Sequence, residues 1–500
     1  MYKYAVLLSF LGGFLSLSIE VIWIRLFTFS SASIPQAFAF TLSIFLIGIA
    51  IGAFIGKRIC QENKASVNYI GKVFIISALF DIIALISISC FASNQILFVL
   101  VVMIFCCALL RGIVFPIVHH LGAENKKTGA AISNVYFANV LGCTFAPIFI
   151  GFYLLDVLTS QQTYLVIVII TFIIAAFCVN QKTMKLLSIL LAILSLGAIS
   201  FPEKVIHSLS QKENLVLEEI IENKHGFIQV YRDRKNDRLV FGSNVYDGTL
   251  NVDLINNSNM IDRAYLLPII ASQAKNILVI GLSTGSWVEV LSTMPQLESI
   301  KVIELNPAYV KLSDSYSEMA NVLRDKRIHL ITDDGRRWLN RNPDEKFDFI
   351  LMNTTYHWRS YLTNLLSKEF LELTKSRLRD NGFIYFNTTG SMDAFYTAKV
   401  VYPYVYQYKN MALASLKQIE EVDRKNIAST FEKMRWEHNQ SLLFDTPEKL
   451  NKGIERMLEY PILSYKEIDF SSIKRPPEII TDRNMITEYK YGLLNSLSSD

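Results

Sequence analysis

Beyond Phe201 the chain has no cysteine: Cys60, Cys90, Cys106, Cys107, Cys143 and Cys178 all precede it. No Cys-x-x-Cys or Cys/His spacing occurs, so a zinc finger or ribbon is excluded and no metal is expected. The thiols read as buried members of a helix bundle and carry no information about the compartment of the remainder. A surplus of one charge is also missing. The 49 Lys and Arg nearly balance the 45 Asp and Glu, which gives no basic surface for nucleic acid. Internal repeats and low-complexity segments are absent. So is a cleavable signal peptide, because the first apolar run is long enough to span a bilayer and lacks a small-residue cleavage site.

What the chain has in excess is hydrophobic sequence, and it lies at one end. Apolar runs of spanning length occur at about Tyr4–Phe27, Phe38–Ile59, Ile70–Phe91, Ile96–Val118, Ala130–Leu155, Tyr164–Val179 and Met184–Phe201. Residues 1–203 are therefore expected to form an α-helical transmembrane bundle of about seven spans, placing the protein in the plasma (inner) membrane with the lipid bilayer as partner. The last two runs are short and joined by Asn180–Thr183, so six spans stay open. Gly48, Gly52 and Gly56 recur every fourth residue, a smooth stripe suited either to close helix approach or to a substrate path.

Ionisable groups inside a span cost roughly 2.5–3.5 kcal/mol each, so they need partners or a wet cavity. Here they are Glu20, Arg25, Asp81 and Arg111, with Asn134 and Asn139 adding polarity. They read either as an ion-pair network holding the bundle or as a polar pocket. Lys3, the Lys57-Arg58-Lys64 group, the Lys126-Lys127 pair and Lys182 with Lys185 fall on alternate loops, while those near Ser33, Ser93 and Asp156 carry no basic residue. Positive-inside reasoning then puts the amino terminus in the cytoplasm. Seven spans would place the soluble half outside; six would keep it on the cytoplasmic face, where a nucleoside donor is made.

Alternating runs from Leu215 to about Leu254, punctuated by Lys235-Asn236-Asp237 and Tyr246-Asp247-Gly248, predict a small antiparallel β region over 204–260. Residues 261–500 then read as an α/β doubly wound, Rossmann-like domain. Its organising unit is Asn276–Asn306. Ile277–Ile280 is a β-branched strand, Gly281 and Gly285 break it, an amphipathic helix follows, and a second strand ends on Glu304. Glycines let the backbone approach a ligand, and a carboxylate ending the second strand can accept both ribose hydroxyls. Pro307 starts a helix, followed by the strand Ile328–Thr332, the turn Asp333–Arg336 and the strand Phe347–Met352. After the loop Asn353–Ser360 come a helix over about Thr363–Leu378, the turn Asp380-Asn381-Gly382 and the strand Phe383–Asn387. Gly281, Glu304, Asp334 and Asn353 fall at the carboxyl ends of strands, where such sheets bind ligands. Further on, Ala394–Leu416 can extend the sheet and Asp423–Asn439 reads as a solvated helix. Pro476-Pro477 and the Ser498-Ser499-Asp500 tail close the chain.

This order of elements resembles the spermidine synthase family, the aminopropyltransferase branch of the class I methyltransferase-like fold. Tyr246-Asp247-Gly248 stands where the family has Leu-Asp-Gly, VIELNP where it has VEIDP, DDGRRWL where it has GDGREFL, and ITDRNMITEYKYG resembles its late Thr-Asp-Asp segment. The front half is similar to membrane-fused members, whose first span carries a Glu-x-x-Trp-x-Arg pattern like Glu20, Trp23 and Arg25. The resemblance implies S-adenosylmethionine or decarboxylated S-adenosylmethionine as the nucleoside donor, held by Gly281, Ser283, Gly285, Glu304 on the ribose, Asp334 beside the adenine, and Asn353.

The acceptor half departs from the family. Where soluble members carry a proton-accepting Asp after the fourth strand, this chain has Tyr356, a neutral phenol and a poor base near neutrality. MIDRAYLLPII does not match the family's Tyr-His-Glu segment, and Asn251 replaces a Gln. His357 or Asp333 can substitute as base, and Trp358 and Arg359 can stack on or pair with a different acceptor. The expected function is a membrane-embedded transferase that moves an aminopropyl or related group to an unidentified amine or membrane-associated acceptor. The alternative is a non-catalytic transport or sensing protein that binds the nucleoside. A homo-oligomer stays open.

Overall fold

The computed structural model describes residues 2–90, 95–123, 129–316, 319–353, 355–436 and 438–493. Ser93, Lys126-Lys127, Thr354 and Ser498-Ser499-Asp500 lie outside the described residues. The chain divides into two compact units, Met1–Glu213 with Glu222–Lys224, and Asn214–Ile221 with His225–Asp500.

In the first unit Tyr2–Ser30, Gln36–Gln61, Val67–Cys90, Ile96–Ala123, Ile132–Val157 and Ser160–Cys178 are long and apolar enough to cross a membrane, six where about seven spans are expected. The seventh run forms Lys182–Ala198, only 17 residues with Lys182 and Lys185 in its first turn. Gly129–Ile148 widens into a π-helix at Phe149–Leu154 directly after Pro147, whose missing N–H removes one helical hydrogen bond.

The glycine stripe packs helix on helix. A Cβ at Gly52 would stand 2.0 Å from the Leu109 carbonyl oxygen, and one at Gly48 would stand 2.7 Å from the Ala108 Cβ. Gly52→Ala is therefore expected to destabilise by about 1–3 kcal/mol. The measurement is the unfolding midpoint in detergent, and an unchanged midpoint would show that these helices part freely.

Two ion pairs absorb three of the four span charges. Arg111 grips Asp81 with both terminal nitrogens, at 3.1 and 2.6 Å, and the Tyr164 hydroxyl donates to the same carboxylate at 3.3 Å. Arg25 pairs with Glu222 at 3.2 Å within this unit. The thiols correct one expectation: Cys107 and Cys178 are buried, Cys60, Cys106 and Cys143 are half-buried, and Cys90 is exposed.

The second unit begins with a four-stranded sheet of β1 (Val216–Asn223, its last two residues counted with the first unit), β2 (Gly226–Arg232), β3 (Arg238–Gly242) and β4 (Val245–Thr249), in chain order. The main sheet has eight strands: β5 (Asn276–Ile280), β6 (Ser299–Glu304), β7 (Ile328–Thr332), β8 (Phe347–Met352), β9 (Leu378–Asn387), β10 (Tyr404–Tyr408), β11 (Met411–Ser415) and β12 (Leu463–Ser464). Their order is β12-β10-β11-β9-β8-β5-β6-β7, parallel from β9 through β7, with the β10–β11 hairpin antiparallel at the other side. Strands alternate with helices, so each crossover covers a face and both faces are apolar.

Three boundaries differ from expectation. Asp380-Asn381-Gly382 lies inside β9 as a register shift against β8, between the Phe347–Leu378 and Phe349–Phe383 pairs. The helix over 363–378 breaks at Ser367, which caps Lys368–Ser376 by accepting the Phe370 N–H. The charged helix ends early, at Arg424–Phe431, where Phe431 stacks on Phe444 with centroids 4.2 Å apart.

Candidate active site

β5 and β8 are parallel neighbours at which the strand order reverses, so the connections leaving their carboxyl ends diverge and open a crevice. Gly281 follows β5 with φ +89°, and a Cβ there would lie 2.8 Å from the Asn353 carbonyl oxygen, so only glycine fits this crossing. Ser283 has φ +51° and donates its hydroxyl to the Asp247 carbonyl at 2.7 Å, fastening the turn to β4.

Two cavities meet at this crevice. The first, about 260 Å³, is bordered by Gly281, Ser283, Glu304, Asp333, Asp334 and Asn353, the ends of β5, β6, β7 and β8. Glu304 is 6% exposed and receives the Leu282 N–H at 2.7 Å and the Asn306 N–H at 2.8 Å. Burial pushes its carboxyl up to about 7; backbone donors at Asn306, Leu282 and Leu305 pull the other way, and nearby Asp247 adds to the rise. With about four acceptor sites in all, the carboxylate keeps capacity for a ligand hydroxyl beside these backbone donors. Asp334 caps Gly335–Arg341 by accepting the Arg337 N–H at 2.7 Å. Asp333 accepts the Asp334 N–H and pairs with Arg337. Burial raises its carboxyl, but the Arg337 and Asp334 hydrogen bonds with the Arg337 and Arg341 charges hold it below the usual range. Arg336 grips Asp482 at 2.7 Å, which ties the late Thr-Asp segment beside this rim.

The second cavity, about 450 Å³, has Tyr356, Trp287, Arg263, Lys409, Asn410 and Thr389 among its walls. Asp247, Ser283, Asn353 and Thr355 border both cavities. Asp247 accepts the Tyr309 hydroxyl at 2.6 Å. Burial raises its carboxyl above the ordinary range, while Tyr309, Arg359 and Ser283 draw it down.

Of the residues expected from sequence, Gly281, Ser283, Glu304, Asp333, Asp334 and Asn353 converge on the first cavity and Tyr356 on the second. Gly285 and His357 border neither. Gly285 is the left-handed cap of Ser286–Ser292, φ +79°. His357 is turned toward Thr389, 3.0 Å from its Nδ1, and burial pushes the imidazole down to about 4, so it is neutral near pH 7. Asp247, Arg263 and Lys409 were not expected as site residues. Asp247 had a signal in the Tyr246-Asp247-Gly248 motif. The two cations had none, since they reach the cavity from a helix start and a hairpin 146 positions apart.

Residues 264–412 match the spermine/spermidine synthase domain. The polyamine aminopropyltransferase of Agathobacter rectalis is 33% identical over 114 residues, 23% of this chain and 39% of that protein. That of Oceanobacillus iheyensis is 21% identical over 379 residues, 72% of each chain. A crystal structure of spermidine synthase from Thermotoga maritima is similar with a TM-score of 0.38 at 15% identity, covering 48% of this chain and 88% of that one. A second spermidine synthase structure, in complex with the transition-state analogue AdoDATO, has the same score and coverage.

Proposed function

We propose that this chain, spermidine synthase-like by its domain match and its relatives, is a membrane-embedded transferase using an S-adenosyl donor. The observation that carries the reading is the pair of cavities joined at Asp247, Ser283, Asn353 and Thr355. Glu304 takes the ribose hydroxyls of S-adenosylmethionine or its decarboxylated form, and Asp334 lies beside the adenine. Gly281, Ser283 and Asn353 let the donor reach the junction. Gly285 supports them by setting the turn.

The sulfonium carbon is already electrophilic, so the protein has to align a nucleophile and accept its proton. The acceptor nitrogen's lone pair forms the new C–N bond, and the C–S pair returns to sulfur, leaving a neutral thioether. The nitrogen then gives up its proton to the carboxylate at the junction, Asp247. Tyr356 lines the acceptor side, His357 orients Thr389 there, and Asp333 shapes the donor rim. The donor reaction follows the relatives named polyamine aminopropyltransferase. Residues 1–203 form the bundle in the plasma (inner) membrane. Six spans from a cytoplasmic amino terminus return the chain to the cytoplasmic face, which is the side where the donor is made.

Full-length protein in detergent, given S-adenosylmethionine and decarboxylated S-adenosylmethionine in separate reactions, each labelled on the ribose, distinguishes the readings. Methylthioadenosine release with membrane extract as acceptor source is the expected result. Adenosylhomocysteine release would instead assign methyl transfer, and saturable binding with neither product would establish the sensing alternative.

A further inference from the structure

The acceptor-side cavity has a charge unsuited to a plain polyamine. Arg263 is 8% exposed, and its guanidinium hydrogen bonds run to three neutral oxygens: the Met260 carbonyl at 2.9 Å, the Asn259 carbonyl at 3.2 Å and the Asn410 side-chain amide at 3.1 Å. Its flat face lies over Trp287, 5.2 Å from the ring centroid. The nearest acid in sequence, Asp262, is fully buried and engaged by Lys409 Nζ and, at 3.4 Å, by the Tyr408 hydroxyl. Asp247 accepts from Tyr309 and lies in the field of Arg359. Asp262 also lies in the field of Arg263, but its carboxylate is shared with Lys409, so two carboxylates, Asp262 and Asp247, face three cations, Lys409, Arg359 and Arg263, and the group keeps a net positive charge. A polycation entering here would meet a desolvated guanidinium, whereas a carboxylate or phosphate would meet a planar fork already fixed on an indole.

We infer that the acceptor is an amine carrying an anionic group, a carboxylate or phosphate, which Arg263 binds while the nitrogen faces the junction of the cavities. This rests on the donor-and-acceptor reading of the two cavities. The same transfer balances: the amine nitrogen gains the C–N bond and loses one proton, the donor sulfur keeps the C–S pair, and the anion takes no part.

The test is titration calorimetry on the full chain in detergent, first with the donor and then, on the donor-saturated protein, with two matched probe pairs. L-Ornithine differs from putrescine by its carboxylate, and phosphoethanolamine differs from ethanolamine by its phosphate. At least one anionic probe should bind about tenfold to a hundredfold more tightly than its partner. Arg263→Gln should erase that preference, Arg263→Lys should restore part of it, and Lys409→Gln, a second variant should Arg263→Gln not fold, should weaken it. Which pair shows the preference separates carboxylate from phosphate. Equal or tighter binding of putrescine and ethanolamine, no binding of either anionic probe, or a preference that survives Arg263→Gln would overturn the inference while leaving the transferase reading intact. Failure of the donor itself to bind would end both.

Discussion

Glu304→Gln should lower the affinity of the full chain for an S-adenosyl donor by about a hundredfold or more. Hydrogen bonds to a charged group are worth about 1.5–3 kcal/mol each, and the proposed function sets two ribose hydroxyls against this carboxylate. The amide also turns an N–H₂ toward the Leu282 or Asn306 N–H, both of which donate to the native side chain. One buried donor then loses its acceptor, so ligand and loop are affected together. The pH dependence has two opposite signs. The folded carboxyl titrates near 7, above its ordinary 4.5, because burial disfavours the charge. Its contribution to stability is therefore full below about pH 4.5 and is lost as pH rises through 7. Donor binding needs the ionised form and runs the other way, weakening about tenfold per unit below pH 7. Calorimetric titration between pH 5.5 and 8.5 measures this, and an affinity flat across that range would remove Glu304 from the ribose.

The parts of the site legible in sequence are those whose signal is local. β5, its glycine turn and β6 occupy one continuous stretch, so β-branched periodicity and two breakers locate Gly281 and Glu304 without knowledge of the rest. The small β region could be read from alternation and turn residues in the same way. What the sequence did not disclose depends on convergence. Arg263 reads as one more charge at a helix start, and only the fold shows it set over Trp287 and bonded to Asn410 in the β10–β11 turn. Asp380-Asn381-Gly382 has the composition of a turn, yet β8 pairs with Leu378 before it and with Phe383 onward after it, where β11 also pairs, and this keeps it within β9. The helix beginning at Arg424 looked longer because its charges continue, while its end is set by the packing of Phe431 against Phe444. His357 shows the converse. Its ordinary pKa makes it the obvious base in the loop, but burial depresses that pKa and Thr389 takes its Nδ1.

Asp247→Asn should reduce the transfer rate by about 10²–10⁴ while changing donor affinity only a few-fold, the size expected for removing a positioned general base. Asp247 borders both cavities, whereas Asp333 borders only the donor side and His357 borders neither. Its environment also suits the task. Burial makes the carboxylate more basic than a free one, and the Tyr309 hydroxyl and Arg359 charge keep it ionised enough to receive a proton. The asparagine keeps an oxygen for Tyr309, so the fold around β4 should hold and the loss should appear in turnover. Tyr309→Phe provides the independent check. It removes a hydrogen bond that favours the ionised form, so the carboxyl pKa must rise and the acid limb of the rate profile must move to higher pH. A base at His357 would leave that limb in place under Tyr309→Phe and move it under Thr389→Val. Single-turnover rates on donor-saturated protein across pH 5–9 distinguish the two, and an Asp247→Asn variant with full turnover would eliminate the junction carboxylate as proton acceptor.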